Sequence, residues 1–291
     1  MSTDLRPRNF NQLPVGVKNI LILNALFFAA SLIFRNTYQV DLNTLLGLYF
    51  PKHPNFKPWQ YLTSLFMHAD FGHIIMNMLM FYIFGTVLEN KWGTKRFLFF
   101  YFFTGVGASL LYQSTMWFAD YQLTQAVHSF LQHPSPGDFN HFIKHCQIEK
   151  YSAILVNGFN ETRLADLQTN WDLHPENNAL KLNAIEFVSG YKNNLYTIDS
   201  RFWAPCIGAS GAVFGVLFAF GYLFPNTTVY YFSFFPLKAK YFVTLLIVSE
   251  LYMNWANVAG DNIAHLAHLG GALFAFLLVF YWNKTIKNSL F

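Results

Sequence analysis

Apolar residues run along this chain in blocks of membrane length, without the alternating or one-sided rhythm of a soluble domain. Six blocks stand out, at about 19–35, 72–88, 97–118, 206–224, 239–256 and 263–282. Stretches of roughly 17–25 apolar residues cross a bilayer as α-helices. The strict alternation of a transmembrane barrel strand is absent, and lipid admits no open sheet, so every span is expected to be helical. Polar residues collect in what remains. The pattern therefore divides the chain into an N-terminal segment 1–18, spans 1–3 within 19–118, an insertion 119–205, spans 4–6 within 206–283, and a tail 284–291. The expected fold class is an all-α membrane protein, a six-transmembrane-helix bundle with a long extracytoplasmic insertion between spans 3 and 4.

Composition sharpens this picture. Of 291 residues, 54% are hydrophobic and only 12% charged, with 34 phenylalanines, whereas an average soluble domain is about a quarter charged. Cys146 and Cys206 are the only cysteines, which argues against a disulfide framework. The polar residues up to Asn19 leave no room for a cleavable signal peptide, and the first apolar run already reads as span 1.

The basic residues then orient the bundle. Arg6, Arg8, Lys18, Lys91, Lys95, Arg96, Lys238, Lys240, Lys284 and Lys287 fall on one face, against Arg35, Lys52 and Lys57 in the short loops of the other. Ten against three makes the first face, and with it both termini, cytoplasmic. The same placement beside spans explains the net charge of +4 by topology, and no nucleic-acid partner is expected. Residues 119–205 differ in kind: nine acidic residues stand against six basic ones, and Asn, Gln and His are frequent. Pro134-Ser135-Pro136-Gly137 marks a turn there, between runs that read as weakly helical.

Inside the apolar blocks a few polar residues recur at one level. Spans 2, 4 and 6 all run inward from the outer face. His73 and Asn77 lie near the start of span 2, Ser210 near the start of span 4 and His268 near the start of span 6. At 1.5 Å per residue each sits roughly 5–10 Å below the outer surface. Polar residues in lipid are costly and usually functional. His73 and Asn77, four apart, share a helix face and both offer hydrogen-bond donors. Gly211, Gly215 and Ala219 form a small-residue stripe beside Ser210, and Ala267, Gly271 and Ala275 form another beside His268. Such stripes let membrane helices approach closely, which brings a nucleophile and a base within reach of each other. Taken singly, a membrane serine or histidine is ordinarily a packing residue; the shared depth and the glycines bracketing Ser210 favour a site.

At these residues the chain resembles the rhomboid intramembrane serine proteases, over roughly 17–118 and 203–283. The resemblance rests on Gly208-Ala209-Ser210-Gly211, Ala267-His268-Leu269-Gly270-Gly271 and His73-Ile74-Ile75-Met76-Asn77. Support comes from Trp59-Gln60-Tyr61-Leu62-Thr63 leading to His68, from Glu89 with Gly93, Arg96 and Phe97, and from Pro236-Leu237-Lys238-Ala239-Lys240-Tyr241. It implies that Ser210 is the nucleophile and His268 the general base of a dyad, with no aspartate orienting the base. It further implies an oxyanion hole made of His73, Asn77 and the Ser210 amide, and a loop kept open by Gly208. The chain departs from the family pattern at Phe214, where many relatives carry a tyrosine that stacks on the base, and at Gln60, where an arginine is common. His265 lies on the same face as His268 and reads as a water-holding or packing residue. His68 reads as a loop-anchoring hydrogen-bonder.

The resemblance implies an endopeptidase that needs no cofactor and cleaves transmembrane segments of other membrane proteins, single-pass ones foremost, with a small residue before the cleaved bond. A bacterial inner membrane is the expected location. Two alternatives stand beside this: a catalytically silent relative that binds membrane clients, and a transporter. The apolar inner halves of spans 2, 4 and 6 (Met78–Phe84, Val216–Phe224, Leu273–Val279) offer a transporter no polar route. His141, His145 and Cys146 have a metal-like spacing but no fourth ligand nearby, so no metal site is expected. Asn160-Glu161-Thr162 matches a glycosylation acceptor, relevant only in a eukaryotic cell.

Overall fold

A computed structural model describes residues 13–145, 161–231, 235–256 and 264–288. Arg6, Arg8, Cys146 and Asn160 lie outside the described residues, as does position 263 at the predicted start of span 6. The helices are α1 (Val15–Tyr38), α2 (Leu42–Leu46), α3 (Gln60–Thr63), α4 (Phe71–Trp92), α5 (Thr94–Gln132), α6 (Pro136–His145), α7 (Glu161–Leu173), α8 (Asn178–Ile198), α9 (Ser200–Trp203), α10 (Ser210–Leu223), α11 (Ala239–Ala256) and α12 (His265–Asn288).

The chain is an all-α membrane protein. Among the described residues, α1, α4, α5 and α12 are long and apolar enough to cross a bilayer. Helix α10 has 14 residues, about 21 Å at 1.5 Å each, less than the ~30 Å of a hydrocarbon core. The predicted span at 206–224 overestimates it, because residues 206–209 form the loop that delivers Ser210. Helix α11 has 18 residues and is interrupted in its apolarity by Glu250. Between α10 and α11 the chain makes an antiparallel hairpin, β1 (Thr228–Tyr231) with β2 (Phe235–Lys238), in register Thr228↔Lys238 and Val229↔Leu237. The hydrophobic pattern does not announce it. β-Branched and aromatic residues pair there outside the helices, where strands are unconstrained by lipid.

The chain divides into two compact units. The first comprises residues 1–48, 58–112 and 206–291, and the second 49–57 and 113–205. In the first, α1 is anchored at its N-terminus, where free N–H groups need acceptors. Buried Glu89 supplies them, accepting from the Gly16 and Val17 amides at 2.7 and 2.6 Å and from Thr94 Oγ1 at 2.7 Å. Phe81, Phe84, Phe97, Phe100 and Tyr101 pack around α10 through Val213, Val216 and Phe220. Helices close on one another at glycines. A β-carbon at Gly271 would lie 1.8 Å from the Gly211 carbonyl oxygen, one at Gly211 2.6 Å from the Ala108 β-carbon, and one at Gly215 2.8 Å from the Thr104 side chain. Thus Gly271 of α12 closes on the Gly211 backbone as the stripes predict, whereas the β-positions of Gly211 and Gly215 both face α5.

The second unit has a core of its own. Phe130, Phe139, Phe142, Trp171, Phe187 and Tyr191 are almost fully buried in it, together with Phe50 from the 49–57 segment. Its polar joints are specific. Asn177 caps α8 by accepting from the Ala179 and Leu180 amides. Asp120 accepts from Lys52 Nζ at 2.5 Å and from the Tyr196 hydroxyl at 2.7 Å.

Candidate active site

Ser210 is the first residue of α10, and the loop before it sets its geometry. Gly208 has φ +124°, a conformation that side chains resist. Its N–H donates to the Ser64 carbonyl at 2.9 Å, tying the loop to the segment after α3. A β-carbon at position 208 would lie 2.8 Å from His73 Nε2 and 3.5 Å from Ser210 Oγ. Glycine is therefore required twice here, for its φ and for space, and His73 Nε2 and Ser210 Oγ border the same small volume.

His73 is presented by the start of α4. Asp70 caps that helix, accepting from the His73 amide at 2.9 Å. The His73 ring accepts the Ala69 N–H at Nδ1, 3.4 Å away. A neutral imidazole that accepts at Nδ1 carries its proton on Nε2, so His73 offers an N–H to the side where Ser210 lies. One turn on, Asn77 is buried, and its Nδ2 makes no hydrogen bond to a described residue. A buried donor without a partner is expensive; this one is free to serve a transient acceptor.

His268 sits in the first turn of α12. Its ring stacks flat on Phe214, with centroids 4.3 Å apart and planes 6° from parallel. Phe214 lies one turn after Ser210 and so shares its face of α10, and the Gly211–Gly271 contact closes α10 on α12 at the neighbouring turn. The structure thus gathers Ser210, His268, His73, Gly208, Gly211 and Phe214, and places Asn77 one turn beyond His73. The missing tyrosine hydroxyl does not prevent stacking.

Two loop residues take other parts than expected. Gln60, fully buried, donates its amide to the Leu45 carbonyl at 3.3 Å, and Thr63 Oγ1 donates to the Leu46 carbonyl at 2.6 Å, so neutral hydrogen bonds fasten the loop. His68 anchors the loop through its backbone carbonyl, which accepts from Asn43 Nδ2 at 3.5 Å. Its ring packs edge-on against His73 at 5.0 Å. Burial, reinforced by the neighbouring His73, holds the His68 pKa down at about 4.

The sequence reading missed Glu250. On α11 its Oε2 lies 2.6 Å from His265 Nδ1 and 2.9 Å from His268 Nδ1, so the base does have an acid beside it. The expectation concerned an aspartate; the acid here is a glutamate on a separate helix. The signal was present: Glu250 is the one acidic residue in the apolar run 239–256. It also makes Glu250, His265 and His268, rather than His141 and His145, the grouping of metal-ligand type among the described residues.

Comparison with known proteins bears on the family. The Rhomboid domain matches residues 55–120 and 179–284, more than half of the chain. RHOMBOID-like protein 12, mitochondrial, of Arabidopsis thaliana is 24% identical over 89% of this chain and 56% of its own length. The uncharacterized rhomboid protein P4H10.10, mitochondrial, of Schizosaccharomyces pombe is 25% identical over 78% of this chain and 52% of its own. Rhomboid-like protease 3 of Toxoplasma gondii is 30% identical over 32% of this chain and 36% of its own. The chain therefore spans about half or less of the length of these relatives. Both relatives matched over most of the chain are mitochondrial, so the expected bacterial inner membrane draws no support from them. A family model that covers more than half of the chain places it: this integral membrane protein belongs to the rhomboids.

Proposed function

We propose that the chain is an intramembrane serine endopeptidase acting through a Ser210–His268 dyad. The observation that carries this reading is the convergence on one face of α10. Phe214, one turn from Ser210, stacks on the His268 ring, while His73 Nε2 closes in on Gly208 and Ser210.

Ser210 Oγ bonds to the scissile carbonyl carbon as its proton passes to His268, and the carbonyl electron pair moves onto oxygen. That oxyanion is received by the His73 Nε2–H, the Asn77 amide and the Ser210 backbone N–H. The last is one of the first helical amides, which have no partner within their helix and lie at its positive end. Each such donor contributes about 2.7–4 kcal/mol to the transition state. Collapse of the intermediate expels the amine, protonated by His268, and water repeats the sequence on the acyl-enzyme. No cofactor enters this mechanism.

The substrates in this reading are transmembrane segments of single-pass proteins, reached near the extracytoplasmic surface, in a six-span bundle whose termini are both cytoplasmic. The protease name of the Toxoplasma gondii relative supports the activity. The test is fluorophosphonate labelling and cleavage of a single-pass substrate by the purified protein. Wild type is expected to label and cleave, and Ser210→Ala and His268→Ala to do neither while unfolding at the wild-type temperature. A folded wild type that neither labels nor cleaves makes the silent, client-binding alternative the better account.

A further inference from the structure

Two side chains beside His268, Glu250 and His265, form a cluster with it that the mechanism above leaves unused. The Glu250 carboxylate of α11 stands between two imidazoles of α12, with Oε2 at 2.6 Å from His265 Nδ1 and 2.9 Å from His268 Nδ1. All three side chains are close to nine-tenths buried, at 13%, 9% and 12% exposure for Glu250, His265 and His268. A carboxylate in a membrane bundle is costly and rare unless it has a task.

An ionised carboxylate only accepts hydrogen bonds, so an imidazole nitrogen turned toward it carries the proton. For His268 this puts hydrogen on Nδ1 and leaves the lone pair on Nε2, the atom a serine needs. The Phe214 stack, at 6° between planes, fixes the plane of the ring. Glu250 fixes which edge of that plane points away from the site. His265 makes the better aligned bond to the carboxylate. His268 reaches the same oxygen off the line of a good hydrogen bond, the loose geometry of a base before substrate arrives.

We infer that Glu250 is the positioning residue for His268, and that His265 holds Glu250 in place. The inference rests on the dyad reading. When the Ser210 proton moves to Nε2, the imidazolium so formed lies beside a fixed negative charge, and the carboxylate keeps its charge throughout. The same three atoms are a donor set that zinc accepts. Ligand atoms 2.0–2.1 Å from a tetrahedral zinc stand about 3.4 Å apart. The 2.6 and 2.9 Å separations here are those of proton-bridged pairs.

The experiment is steady-state cleavage of a single-pass fluorogenic substrate by the full chain in detergent. It compares wild type, Ser210→Ala, Glu250→Gln, Glu250→Asp, His265→Ala, His268→Ala and the His268→Ala/Glu250→Gln pair. Glu250→Gln, which keeps the shape and removes the charge, is expected to lower kcat about 10²–10⁴-fold with KM within about twofold. Glu250→Asp is expected to recover at least roughly tenfold of that loss, and His265→Ala to lose roughly tenfold. The double variant is expected to be no slower than His268→Ala alone, since the effect runs through the base. Unfolding temperatures of the Glu250 variants in the Ser210→Ala background are expected within about 2 °C of the parent. A Glu250→Gln enzyme at wild-type kcat beside a dead Ser210→Ala overturns the role and leaves the dyad standing. Turnover that survives Ser210→Ala overturns both. A kcat loss that only tracks loss of folded protein, or activity removed by a chelator and restored by zinc, also overturns it.

Discussion

Both units of this chain bury large aromatics, Phe81, Phe97 and Tyr101 in the first and Trp171 and Phe130 in the second, but among the described residues the first adds a device of its own. In the first, helices meet at glycines: the Gly271 β-position is 1.8 Å from a backbone oxygen, and Gly107 has room only for the Phe274 ring. In the second, large aromatics fill the interior, with Trp171, Phe130, Phe139 and Phe142 essentially inaccessible. Glycine contacts of this kind suit helices in lipid. In lipid, packing apolar side chains between helices gains nothing over leaving them in hydrocarbon, so association depends on close backbone approach and on a few polar contacts. In water the removal of aromatic surface is itself the driving force. Function follows the first pattern. The glycines that allow α10 and α12 to touch also set the helix of Ser210 against the helix of His268.

This contrast can be broken at chosen points. The largest effect is expected for Gly271→Val, whose side chain has no space against the Gly211 carbonyl; folded protein should disappear from detergent extracts by size exclusion. In the other unit, Trp171→Ala leaves a large void and is expected to cost about 3–5 kcal/mol. It should appear as accelerated proteolysis within 113–205, and unchanged proteolysis would show that this aromatic core is not what holds the unit. Asn77→Ala removes a donor that has no hydrogen bond to a described residue. It should lower kcat roughly 10²–10³-fold with the unfolding temperature unchanged, whereas a packing role predicts the reverse.

His68 yields a pH effect. Its folded pKa of about 4 lies below the ordinary 6.5, because burial disfavours the charged ring. As pH falls through 6.5 the unfolded chain takes up a proton that the folded chain refuses until about pH 4. The neutral ring's contribution is therefore complete above 6.5 and is lost across that window, by an amount on the order of 3 kcal/mol. His68→Asn should flatten the stability profile between those two pH values in chemical denaturation. The smallest effect is expected for Gly137→Ala, where the nearest atom to a new β-carbon is 4.0 Å away. Stability there should change by less than about 0.5 kcal/mol, the counterpart to Gly271.

By itself the sequence determined the class of this protein and singled out the residues of its candidate site. Runs of apolar residues must be helical in lipid, because no other local structure satisfies the backbone there. Polar residues within those runs are too costly to be incidental, which is why Ser210, His268, His73 and Asn77 stood out. Even the Gly211–Gly271 contact was legible, since small residues at helical spacing have few other uses in a membrane. What the sequence left open depends on the direction in which one helix faces another. The stripe of Gly211 and Gly215 turns its β-positions to Ala108 and Thr104 of α5, while the Gly211 backbone takes the contact with α12, a choice made by three-dimensional packing. The segment 49–57 gives Phe50 to the core of the second unit, a contact with no local signature. Glu250 was visible as a lone acid in an apolar run, but its meaning was not. Only the packing of α11 against α12 puts its carboxylate at the two imidazoles, because hydrogen-bond partners from separate helices are chosen by tertiary geometry and leave no periodicity behind.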